Sequence, residues 1–170
     1  PAGVLYDIDL RLRPDGASGL LVSTVEAFRN YQQKKAWLWE HQALTRARFV
    51  AGDVHIGDQF EKIRFEVLAA PRNREVLRQE VLGMREKMRD SHPAVDHDIK
   101  HAHGGIIDLE FLVQYLVLAH SHYFPELTGN IGNIALLGLA ANADLIDREL
   151  AEAGQARSEE RRVGKECLRL

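Results

Sequence analysis

The sequence predicts a mostly α-helical chain that begins with one or two β-strands. Three observations carry this reading: apolar and charged residues alternate from Val4 to Arg13, apolar residues recur at helical spacing through residues 54–88, and a strongly apolar helical stretch lies near 107–122. The chain has 170 residues, 45% of them hydrophobic, enough for a globular core. A net charge of -3 supplies no cationic excess for gripping nucleic acid. The most apolar run, Phe111 to Ala119, contains Gln114 and is flanked by charges, too short and too polar to span a bilayer. Neither nucleic acid nor membrane is an expected partner. The single cysteine, Cys167, has no internal disulfide partner, and the chain enters a strand pattern almost at once rather than a secretory leader. A cytoplasmic location is the expectation.

In the first strand Tyr6, Ile8, Leu10 and Leu12 share one face, and Asp7, Asp9, Arg11 and Arg13 share the other. Pro14-Asp15-Gly16 ends it. Gly19 to Val22 reads as a second short strand or an extended lead into the next helix. A lone strand cannot fold without partners, so its sheet is expected in residues before Pro1. Ser23 to Glu26 has the form of a capping box with Ser23 as N-cap, opening a helix that carries Phe28 and Tyr31 inward. A helical pattern over about 35–50 is expected to bury Trp39, Ala43 and Ala47. Beyond the Gly52-Asp53 break, Ile56, Phe60, Ile63 and Val67 form one stripe, and Leu77, Val81, Met84 and Met88 form another. Ser91 to His103 reads as a polar connection. The apolar helix after Gly104-Gly105 stops at Phe124-Pro125, and two short helices, about 130–141 and 143–153, separate near Asn142. The charge-dense stretch 157–170 has no apolar stripe and is expected to be disordered or foreign.

Asp7 and Asp9 lie about 7 Å apart along the strand. A hard cation such as Mg²⁺ takes one or two carboxylates together with phosphate oxygens, and Arg11 and Arg13 on the same face suit those phosphates. That combination describes a nucleoside-triphosphate site; a solvated edge strand with self-neutralising charges is the alternative. The stretch "WLWEHQALTRARFVAGD" puts Glu40, Arg46 and Arg48 on one helix. In "DIKHAHGGIIDLEFLVQYL", Lys100 precedes Gly104-Gly105, and Asp108 and Glu110 follow near a helix start. Exposed amides there favour an anion, although Asp108 equally suits a cap and Glu110 a first-turn acid. His92, His97, His101 and His103 crowd the connection with Asp96 and Asp98, and a phosphohydrolase-like metal site is a further reading; the spacing matches no familiar zinc motif.

Together "YDIDLRLRPDGASGLLVS", "WLWEHQALTRARFVAGD" and "IKHAHGGIIDLEFLVQYLVL" resemble, in order and spacing, signatures of the glutamine synthetase (glutamate-ammonia ligase) adenylyltransferases, from Val4 to about Leu150. "WEHQALTRAR" is most similar to the C-terminal, adenylylating half of that bifunctional family. The resemblance implies that residues 1–53 are the last strand or strands of a DNA polymerase β-like nucleotidyltransferase α+β domain. Residues 54–156 then form a multi-helix bundle domain, and 157–170 an atypical tail. It implies Asp9 as the third, catalytic carboxylate and a metal ligand, with Asp7 as the second ligand and Arg11 and Arg13 as phosphate contacts. Glu40, Arg46, Arg48, Lys100, Gly104, Gly105, Asp108 and Glu110 become candidates for substrate or nucleotide binding, the last two matching the family's Gly-Gly-Ile-x-Asp-x-Glu-Phe signature. The implied reaction moves AMP from ATP, with Mg²⁺, to a tyrosine of glutamine synthetase and in the bifunctional protein also removes it. Glutamine synthetase and a PII-type signal protein are the implied partners. Without the first carboxylate pair, the chain alone is expected to be inactive. A non-catalytic helical module that docks those partners is the rival expectation.

Overall fold

The computed structural model describes residues 14–91 and 98–167, with side chains described through Ser158 and Glu159 apart from Ala17. The alternating segment with Asp7, Asp9, Arg11 and Arg13, expected as a strand, lies outside them, as do His92, Asp96 and His97. Among the described residues the regular structure is entirely helical: α1 (Val25–Lys34), α2 (Leu38–Leu44), α3 (Val54–Leu68), α4 (Arg74–Ser91), α5 (Ile106–His120), α6 (Asn133–Asn142) and α7 (Arg148–Cys167), with 3-10 turns at Gly16–Ser18 and Pro125–Thr128. The helical bundle is as expected. Gly19 to Val22 forms no strand: Leu20, Leu21 and Val22 are 82%, 70% and 82% exposed, leading extended into α1.

The first helix starts one residue later than the Ser23 capping box predicts. Thr24 is the N-cap, its Oγ1 accepting from the Ala27 amide at 3.1 Å, while Glu26 instead accepts from the Asn30 side chain. The tandem Ser-Thr offers two registers, and in the observed one the third helical position is Ala27, which has no side chain to reach back. Phe28 packs against the core and meets Phe60 of α3 with ring centroids 5.7 Å apart.

The second helix is the largest departure from periodicity. It spans seven residues rather than sixteen, and buries Glu40, Gln42 and Leu44 while Trp39 is 37% exposed. The Glu40 carboxylate explains the start: it accepts from the Trp37 amide at 2.7 Å and from the Tyr31 hydroxyl at 2.9 Å. Arg64 explains the end. This side chain, buried inside α3, donates from Nε to the Leu44 carbonyl at 2.8 Å and from Nη2 to the Thr45 carbonyl at 2.9 Å. A cation on the last carbonyls satisfies groups a helix terminus leaves unpaired and complements its dipole. Beyond it Phe49 lies flat over Gly57, where a Cβ would come within 2.8 Å of the ring.

Asp53 caps α3 by accepting from the His55 and Ile56 amides. Of the predicted stripe, Ile63 and Val67 are buried, Phe60 is partly buried and Ile56 is exposed. In α4, Leu77 and Val81 are buried and Met84 and Met88 half-buried, as expected, but the next position on the same row is a buried arginine, Arg85. The last helix runs on to Cys167, so the stretch 157–167 is helical rather than frayed. The centre of the fold is α5, packed against α2, α4, α6, α7 and the Pro125–Thr128 turn. Its Val113 and the run Leu116 to His120 are buried, meeting Leu136, Leu137 and Ala140 of α6, Ala151 of α7, and Leu44, Ile63 and Leu77 from the first four helices.

Replacing Arg64 by Met is expected to destabilise the chain by about 2–3 kcal/mol, because two carbonyls lose charged donors in a buried place. Urea unfolding measures this, with exposed Arg78→Gln as a near-neutral reference; a loss no larger than that reference's would refute the capping role.

Candidate functional site

Two side chains that the sequence groups together end up in different places because of helix geometry. Asp108 and Glu110 are two residues apart, about 200° around a helix, so α5 sends them to different neighbours. Asp108 faces α4: its Oδ1 accepts from Arg85 Nε at 2.5 Å and lies 3.6 Å from Arg89 Nη2. Its Oδ2 accepts from the Gly104 amide at 2.7 Å, so it also closes the start of its own helix. Glu110 faces the end of α2 and pairs at 2.8 Å with Arg46, which, with Arg48, lies past the end of that helix rather than on it as the sequence predicts. The two carboxylates do not form a shared site. Asp108 locks the signature helix to α4 through Arg85, and Glu110 ties it to the turn after α2 through Arg46.

The loop before α5 explains its glycine pair. Gly104 sits at φ +70°, a left-handed conformation that side chains disfavour. Gly105 lies where a Cβ would come within 2.8–2.9 Å of the carbonyl oxygens of Ile99, Lys100 and Ala102. Backbone bonds from Ile106 to Ile99 and from Ile107 to Lys100 fold the loop under the helix. Arg85 Nη2 adds a bond to the His101 carbonyl at 2.9 Å. Asp98 accepts from the Lys100 and His101 amides and faces His101 Nδ1 at 3.1 Å. The His101 amide is the chief cause holding the Asp98 carboxyl below its ordinary range. His101 is thus engaged locally, His103 is exposed, and among the described residues no group of three or more His, Cys, Asp or Glu is placed to hold a metal ion. No helix among them is long and apolar enough to cross a membrane.

Arg46 lines a cleft of about 350 Å³ between the end of α2, α5 and the turn before α6, with Gln114, Asn130, Gly132 and Asn133. Gln42 donates to Gln114 at 3.0 Å, and Asn130 donates to the Arg46 carbonyl at 3.1 Å. Arg48 and Lys100 are exposed, whereas Glu40 is spent inside the fold on Tyr31 and Trp37. Burial, followed by the Glu40 bond, pushes the Tyr31 hydroxyl up. Sequence reasoning missed Gln114, Asn130 and Arg85. Gln114 as the one polar break in an apolar run, and Arg85 four residues beyond Val81, were the available signals.

Two histidines outside the expected cluster have their pKa pushed below the ordinary value. His41 Nε2 donates to the Gln32 carbonyl at 2.9 Å while Nδ1 faces Arg72 at 3.4 Å, an assignment set by these partners; burial, with Arg72 adding, pushes its pKa down. Burial and then Arg74 lower His120.

Residues 1–63 match the family model for glutamate-ammonia ligase adenylyltransferase, and residues 73–164 match that for GlnD PII-uridylyltransferase. The chain is 66% identical, over 91% of its length, to a bifunctional glutamine synthetase adenylyltransferase/adenylyl-removing enzyme of Chromobacterium violaceum. It is 60% identical over 88% to that of Aromatoleum aromaticum, and 56% identical over 99% to that of Nitrosomonas eutropha. It spans 16–18% of the length of these relatives.

Asp108→Ala strips the counter-charge from a buried arginine and is expected to cost about 3 kcal/mol; Glu110→Ala, whose Arg46 partner is 53% exposed, is expected to cost under about 1 kcal/mol. Equal losses in chemical denaturation would refute the distinction. Because folding lowers the pKa of His41 and His120, the unfolded chain binds more protons below about 6.5, so stability is expected to fall as pH drops from 7.5 to 5.5. His41→Gln should flatten that slope; an unchanged slope would remove His41 as a contributor.

Proposed function

The chain belongs to the glutamine synthetase adenylyltransferase family, and from that premise we propose that it is the part of such an enzyme joining the end of the catalytic domain to the helices that follow. The observation that carries this is the 66% identity spread over nearly the whole chain. The reaction is attack by a tyrosine hydroxyl of glutamine synthetase on the α-phosphorus of ATP. The bond to the β-phosphate oxygen breaks, pyrophosphate departs, and a carboxylate takes the hydroxyl proton. In the bifunctional protein the AMP group is also removed.

Asp9 is the residue proposed to take that proton, with Arg11 and Arg13 on the phosphates; the family motif supports these roles. Magnesium falls to Asp7 and Asp9, since the described carboxylates Glu40, Asp108 and Glu110 are each engaged by protein donors. Those three act as positioning residues. Through Glu110 and Asp108, the helix α5 holds α2 and α4, which fixes Arg46 at its cleft and leaves Arg48 and Lys100 exposed for anionic substrate.

A second reading is favoured by one finding: residues 73–164 match a family model described as GlnD PII-uridylyltransferase. On this reading the helical part docks glutamine synthetase or a PII-type signal protein.

In the full-length enzyme, Asp9→Asn is expected to abolish incorporation of labelled AMP into glutamine synthetase while its circular dichroism stays that of the parent. Substantial residual incorporation would sink the role of Asp9. Retention of a PII-type protein by the 170-residue chain in a pull-down tests the second reading, and its absence would count against docking here.

A further inference from the structure

Among the described residues, the groove between α4 and α5 carries a cationic imbalance. One wall carries Arg78, Arg85 and Arg89 and the other Phe111, Leu112 and Tyr115, around about 440 Å³ of space. Three guanidinium groups face one carboxylate, that of Asp108. Arg78 also meets Glu75 at 3.9 Å, but both of those side chains are well exposed, so that pair is weak.

Arg85 is the telling residue. Its side chain is only 5% exposed, yet of its donors Nε serves Asp108 and Nη2 serves the His101 carbonyl, while Nη1 is buried with no hydrogen bond. The Nε of Arg89 is likewise buried with no hydrogen bond among the described residues, and its Nη2 reaches Asp108 only at 3.6 Å. Buried donors on charged groups rarely go unmatched, because each unmatched one forfeits its hydration without replacement. An anionic oxygen is what these positions lack, and guanidinium groups are suited to grip one. The opposite wall is aromatic and aliphatic, so it favours an anion carried on an apolar body rather than a bare ion.

We propose that this groove binds a small organic anion, with a carboxylate or phosphate group between Arg85 and Arg89 and an apolar portion against Phe111, Leu112 and Tyr115. This goes beyond adenylyl transfer, in which Arg85 serves only as the partner of Asp108 and Arg78 and Arg89 have no part. The site is a place where a small acid can stiffen the junction of α4, α5 and the Gly104-Gly105 loop, since Asp108 and Arg85 hold all three.

The test is isothermal titration of the purified chain in low-chloride buffer with benzoate, phenyl phosphate, inorganic phosphate and neutral benzamide. Saturable binding of benzoate or phenyl phosphate is expected, with inorganic phosphate weaker and benzamide silent; which of the first two binds more tightly distinguishes carboxylate from phosphate. Arg89→Gln, at a side chain 31% exposed and therefore compatible with folding, should weaken the binding at least tenfold, and Arg157→Gln, which does not line the groove, should leave it unchanged. Absence of saturable binding by either organic anion, or binding unaffected by Arg89→Gln in a variant that retains the parent's circular dichroism, would overturn the proposal. A variant that loses the fold is replaced by Tyr115→Ala, for which the same weakening is expected and an unchanged affinity is fatal.

Discussion

The constraint on which the rest of the fold depends is that α5 has to be covered on every side at once. Most surface helices need one apolar stripe and leave the other face to water. Here Val113 and the run from Leu116 to His120 are buried, and five neighbouring elements share the covering. A polar group entering such a helix must bring its partner with it, since unpaired burial of charge is costly. Asp108, Glu110 and Gln114 obey that rule: Asp108 meets Arg85 of α4, and Glu110 and Gln114 meet Arg46 and Gln42 at the end of α2. The covering helices are therefore not only packed onto α5 but keyed to it.

Arginine does most of the keying, and it does so at helix ends as well as at carboxylates. Arg64 closes α2, and Arg72 donates to the Val67, Leu68 and Ala70 carbonyls to close α3. The planar fork of donors suits several carbonyls at once, which a lysine cannot match. This arrangement links architecture to the proposed chemistry. With Arg64 and Arg72 committed to carbonyls, Arg48 and Lys100 remain at the surface, the positions to which the proposed function assigns an anionic substrate.

Local periodicity revealed the helices well and their partners poorly. The stripes of α3 and α4, the isolated apolar α5 and the break near Asn142 were all legible, because each is set by residues within a few turns. The length of α2 was not, since Arg64, twenty residues on, decides where it stops. Trp39 looked like core, but Glu40 took the inward position once Tyr31 and the Trp37 amide supplied partners. At the site, the signature residues could be picked out by pattern. Their separation into two locks could not, because the choice of Arg46 for Glu110 and Arg85 for Asp108 is made across 64 and 23 residues of sequence. The segment with Asp7 and Asp9 lies outside the described residues, so its reading as a strand rests on motif.

Because α5 serves different neighbours at successive angles, its tolerance to change is lopsided. Swapping one apolar side chain for another of similar size disturbs a single contact. Gaining or losing one residue between Asp108 and Gln114 turns everything beyond that point by about 100°. Gln114 would leave Gln42, and the buried run that follows would present its seam to the wrong helices together. In evolutionary terms the segment is free to vary in letters but not in count, so relatives should differ along it by substitution and keep its length.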